Sequence, residues 1–242
     1  MPQTDTIGSS AVTPPKQGSL WSALGWGTLL FVAWGTVQGI TAIFASGGLG
    51  AANMNEMTGR SIALANITAT PVAVALAIVF ARARWGMAAT EHLGLTWPPL
   101  RQAIGWTLAF VGLLAANDLL SYILHRPESA SVVSMYRTSG WLPVFVFGIV
   151  VAAPLGEEFI FRGFLFSGIA TSRGGPLLAI AVTTIVFSAL HTQYDALDIL
   201  SVVAGAVLLG VTRWRTKSLW LCVALHSLMN AVAMVEAALF AK

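Results

Sequence analysis

The chain has 242 residues, of which 56% are hydrophobic and 10% charged. A soluble globular domain carries about 25% charged residues, so this one has too few to cover a water-facing surface, and an ordinary soluble enzyme is excluded. A net charge of +3 without a long basic tract offers no nucleic-acid face, and the single cysteine, Cys222, excludes an internal disulfide or a thiolate cluster.

A transmembrane helix uses about 20 apolar residues. The apolar content therefore supplies roughly six or seven spans, and the mean hydropathy of +0.77 agrees. The expected fold is an all-α, polytopic transmembrane helix bundle of about seven spans.

In chain order, residues 1–19 are polar and proline-containing and read as a disordered tail. The first apolar stretch runs from Leu20 to about Ala45. It is longer than the core of a signal peptide and reads as an uncleaved anchor. A second span covers 61–81, with Pro71 inside, and a third covers 102–124. The fourth runs from Trp141 to about Ser172, broken by Pro154 and interrupted by Glu157, Glu158 and Arg162. Pro176 to about Thr192 is a fifth, Ile199–Val211 a short sixth and Leu219–Phe240 a seventh. The chain thus divides into a tail (1–19), a set of N-terminal transmembrane helices (20–140) and a polar-bearing helical core (141–242). Trp21, Trp85, Trp97, Trp141, Trp214 and Trp220 sit near span ends, as interfacial anchors do.

Alternate loops differ in charge. Lys16, Arg82, Arg84, Arg101, Arg173, Arg213, Arg215 and Lys217, with Arg162 if it stands outside its helix, fall on one side, and Arg60, Arg126, Arg137 and Lys242 on the other. With seven spans, the positive-inside rule puts the N-terminus in the cytoplasm and the C-terminus outside.

Charges inside a bilayer cost a few kcal/mol each on insertion scales and need a reason. One dense cluster is Gly156-Glu157-Glu158-Phe159-Ile160-Phe161-Arg162. Two further polar sites follow in separate spans, Phe187-Ser188-Ala189-Leu190-His191 and His226-Ser227-Leu228-Met229-Asn230. Glu158 and Arg162 are four apart, so they share a helix face and can pair. Glu157 lies about 100° round the helix, so the arginine need not neutralise it. His226 and Asn230 share a face for the same reason, as do Phe187 and His191.

Depth can be read as well. Glu157 and His191 are equidistant from residue 174, inside the turn-like Ser172-Arg173-Gly174-Gly175-Pro176. In an antiparallel hairpin they lie at one height, roughly 25 Å from the turn. His226 is compatible in depth. Glu157, His191, His226 and Asn230 are therefore expected to converge inside the bundle. A carboxylate and an imidazole can hold a water and take its proton. An imidazole and an amide can donate to a tetrahedral oxyanion. The same Glu157, His191 and His226 are also a donor set for zinc. The spacing leaves both open: a zinc cofactor, or none.

Glu-Glu-x-x-x-Arg, Phe-x-x-x-His and His-x-x-x-Asn, each in its own apolar span, resemble the CPBP intramembrane proteases, which include the Rce1-type CAAX prenyl endopeptidases and bacterial Abi-type relatives. The resemblance covers about residues 141–242. It implies an endopeptidase cutting membrane-associated peptides or proteins. Glu157 would be the general base helped by His191, with His226 and Asn230 stabilising the transition state and Glu158 and Arg162 holding the site's shape. The family has been described as metal-dependent and as glutamate-dependent. The compact size and short tail fit a bacterial cytoplasmic membrane as the expected setting, with lipid around the chain. Two other readings stand beside it. One is a non-catalytic immunity or scaffold protein that keeps the fold. The other is a proton-coupled transporter, for which inverted repeats are missing.

Overall fold

In lipid, backbone polar groups have no water to bond, so long apolar runs close their own hydrogen bonds as helices. The computed structural model describes residues 19–47, 58–86, 89–127 and 129–240, and no strand occurs among them. The expected tail lies outside the described residues except for Ser19.

The helices are α1 (Leu20–Ala45), α2 (Gly59–Trp85), α3 (Ala89–Leu93), α4 (Leu100–Ile123), α5 (Ala130–Arg137), α6 (Leu142–Ala170), α7 (Gly175–Ala189), α8 (Ala196–Thr216) and α9 (Leu219–Phe240). Six are long and apolar enough to cross a membrane: α1, α2, α4, α6, α8 and α9. The seventh apolar stretch, α7, has 15 residues. At 1.5 Å per residue it is about 22 Å long, short of the roughly 30 Å hydrocarbon layer. The chain is a polytopic all-α bundle.

Two bounds differ from the sequence reading. Residue 192 lies beyond the end of α7. In contrast, α8 is longer than expected, because Asp195 caps it and because Arg213 continues it as a buried residue rather than a loop cation. Arg213 is held by the carbonyls of Arg162 (2.9 Å) and His92 (2.8 Å) and by Ser167 Oγ (3.0 Å). At the same end, Arg84 in the last turn of α2 donates to Ser22 Oγ in the first turn of α1. The arginine-rich loops thus meet at one end of the bundle. Gly94 is required there: its φ is +74°, and a Cβ would lie 2.4 Å from the Lys217 carbonyl oxygen.

Helix α6 is the central element. Most of α6 is buried, whereas in α4 Phe110 is the one buried residue and the helix faces outward. Small residues let α2 approach it. Ala63, Ala69, Ala73, Ala77 and Ala81 are fully buried, and a Cβ on Gly148 would sit 2.7 Å from that of Ala63.

Helix α6 is not a regular α-helix. Two π-helical stretches, Phe147–Ala152 and Phe159–Leu165, flank the α-helical Ala153–Glu158. Pro154 has no N–H to give and its ring crowds the preceding turn, so the ladder must re-register there. Such π-bulges recur at functional sites. Here the two carboxylates lie at the end of the short α-segment between the bulges.

Candidate active site

The site is built around Glu158. Its Oε1 accepts from Arg162 Nη1 at 2.6 Å and lies 2.9 Å from His226 Nδ1. Both Glu158 and Arg162 have no exposed side-chain surface. Arg162 also donates through Nη2 to the Ala206 carbonyl (3.1 Å), and its guanidinium lies 4.9 Å from the Phe187 ring centroid. One buried carboxylate thereby links α6 to α9, and its arginine links both to α7 and α8. Glu158 Oε2 and Arg162 Nε have no partner among the described protein atoms.

His226 sits between the two acids. A ring nitrogen facing an ion-paired carboxylate carries a proton, so Nδ1 donates to Glu158. That leaves Nε2 turned toward Glu157, 3.8 Å from Oε2. Of the imidazoles expected to converge on Glu157, His226 is the one in close approach to its carboxylate. The cause is the packing of α9 against Ala153–Glu158.

Glu157 is the less buried acid, with 16% of its side chain exposed against none for Glu158. His226, His191, Glu158 and Arg162 all act on it electrostatically.

His191 lies in the turn after α7. Its Nδ1 is 2.8 Å from the Phe187 carbonyl oxygen. A carbonyl only accepts, so Nδ1 carries the proton, and neutral His191 has its lone pair on Nε2. The ring lies between Phe187 (centroids 4.6 Å apart) and Tyr194 (5.7 Å, interplanar angle 23°). The hairpin register matches the depth argument: the Phe161 and Phe187 rings meet at 5.3 Å, and those residues are also equidistant from residue 174.

Asn230 is placed differently from its neighbours. Its Nδ2 donates to the Ile149 carbonyl at 2.9 Å, inside the first π-stretch of α6. It thus satisfies a backbone oxygen that the irregular ladder exposes, and one N–H and Oδ1 remain.

Tyr194 was not singled out by the sequence patterns. It stacks on His191, and burial, with the Glu157 charge adding, pushes its phenol up to about 12. Its position three residues beyond His191 was the available signal.

A metal would need Glu157, His191 and His226 to close around one point. Among the described residues no three His, Cys, Asp or Glu side chains are close enough for that. As placed, these residues do not fit a metal ion, and no step below is routed through one.

The family of Type II CAAX prenyl endopeptidase Rce1-like proteins matches residues 139–232. Residues 139–232 are thus similar to that family. It runs from just before α6 into α9 and contains Glu157, Glu158, Arg162, His191, His226 and Asn230. The match supports a protease-type enzyme, and the apolar helices make it an integral membrane protein. No curated protein and no solved structure matches the chain.

Proposed function

We propose that this Rce1-like chain is an intramembrane endopeptidase that hydrolyses peptide bonds of membrane-associated substrates with water activated by Glu157 and His191. The observation that carries the reading is the division of labour between neighbouring acids. Glu158 is committed to Arg162 and His226, whereas Glu157 is partly exposed and flanked by imidazoles.

In this reading a water sits between Glu157 and His191 Nε2. Its oxygen attacks the scissile carbonyl carbon as its proton passes to Glu157. The carbonyl oxygen becomes an oxyanion. His226, taken in this reading as the imidazolium with Nδ1–H on Glu158, supplies a donor through Nε2–H, and the second N–H of Asn230 supplies another. Glu158 keeps His226 Nδ1 protonated and the ring oriented, as an acid does in a hydrolytic triad. Collapse breaks the C–N bond, and the proton held by Glu157 goes to the departing amine. Arg162 offsets the Glu158 charge, so the second acid does not compete for that proton.

The test uses purified protein in liposomes with membrane-associated peptides, in water enriched in oxygen-18. Wild-type protein should release fragments whose new carboxylate carries the label. Glu157→Gln and His191→Ala should release none while remaining folded. Full cleavage by either variant would remove the proposal.

A further inference from the structure

His191 differs from the other site residues in its support. Glu157, Glu158, Arg162, His226 and Asn230 stand within long helices, whereas His191 belongs to the turn between α7 and α8. A turn alone does not hold an imidazole in one place. This one is tied to the distant connection between α4 and α5.

Arg126 Nη2 donates to Asp195 Oδ2 at 2.7 Å and to Asp198 Oδ1 at 3.2 Å. Ser131 Oγ donates to the Gln193 carbonyl at 2.5 Å. Asp195 uses its other oxygen, Oδ1, to cap α8, accepting from the backbone of Leu197 and Asp198 at 2.9 Å each. One aspartate therefore locks both the start of α8 and the arginine. Asp195 is 60% exposed, but the Arg126 side chain is only 17% exposed and that of Asp198 20%, so the Arg126–Asp198 arm is the better sheltered of the two. Between the clamp and His191 stands Tyr194, its ring stacked on the imidazole.

We propose that Arg126 is a positioning residue for His191: through Asp195 and Asp198 it holds the turn that presents the imidazole to Glu157, and the Tyr194 ring transmits that hold. Arg126 lies outside the Rce1-like segment. The N-terminal helices thereby contribute to the site. The inference rests on His191 serving the hydrolytic site, yet it can be read without turnover.

The experiment uses the full chain in detergent and follows carbethoxylation of each histidine by mass spectrometry, alongside cleavage kinetics. In Arg126→Gln, His191 reacts faster than in wild type, while buried His226 is unchanged. The kcat falls on the order of ten- to a hundredfold, as a small misplacement of a reacting group does, and KM stays constant. Arg126→Lys restores most of both readouts. Tyr194→Leu, which leaves the ion pairs intact, shows the same split and serves if Arg126→Gln fails to fold. Unchanged His191 reactivity in a folded Arg126→Gln, or in Tyr194→Leu if that is the variant that folds, overturns the proposal. If wild type cleaves nothing while His191 reactivity responds as stated, the protease reading fails and the positioning role stands.

Discussion

His226 Nδ1 lies 2.9 Å from Glu158 Oε1, and its Nε2 faces Glu157 Oε2 at 3.8 Å. Adjacent acids on one helix thus hold opposite sides of one imidazole. Glu158 also holds Arg162, so the two acids respond differently to the same substitution.

Glu158→Gln leaves Arg162 buried without its counter-charge. Breaking a fully buried ion pair costs about 3–5 kcal/mol. Thermal unfolding in detergent should show a large loss of stability for Glu158→Gln and almost none for Glu157→Gln. Equal stability of the two variants would contradict the assigned roles.

Asn230→Leu removes the donor to the Ile149 carbonyl in the first π-stretch. A buried carbonyl left without a partner costs about 1–3 kcal/mol. The variant is expected to lose stability by that amount, and hydrogen exchange should increase along Phe147–Ala152. Asn230→His, which can donate, should recover part of it.

Asp195 provides the pH dependence. The backbone N–H of Asp198, then that of Leu197 and the Arg126 charge, hold its carboxyl below the usual carboxylate range. A depressed folded pKa gives a contribution that is fully present above the unfolded value of about 3.9 and is lost as pH falls through the folded value. The first turn of α8 should therefore keep its amide protection through neutral and mildly acidic solution and lose it only below pH about 4. Asp195→Asn keeps the cap but not the charge, whereas Asp195→Ala loses both. Loss of protection already at pH 6 would contradict this.

Because Glu157, His191 and His226 do not close around a metal position, cleavage should survive prolonged chelation. Loss of activity in chelator with recovery on added zinc would transfer water activation from the side chains to an ion.

Much of this was legible in the sequence. The apolar runs marked the helices, and the spacing of Glu158 and Arg162 marked their pairing. The turn around Gly174 set the register that Phe161 and Phe187 display. Other features depend on contacts that no periodicity carries. The π-stretches of α6 need Pro154 between them and Asn230 from α9 to take a freed carbonyl. The reach of His226 to Glu158 joins helices that share no hairpin, so no midpoint rule locates it. Arg213 looked like a loop cation because its partners are carbonyls of distant residues, Arg162 and His92. Arg126 and Asp195 are far apart in sequence and individually ordinary.

The most direct measurement of the central claim is cleavage by Glu157→Gln, reconstituted and shown to unfold at the wild-type temperature. The account predicts loss of turnover by at least the 10²–10⁴-fold that a positioned general base contributes, with the bundle intact. Wild-type turnover by that folded variant would show that the carboxylate beside His226 does not take the proton from water.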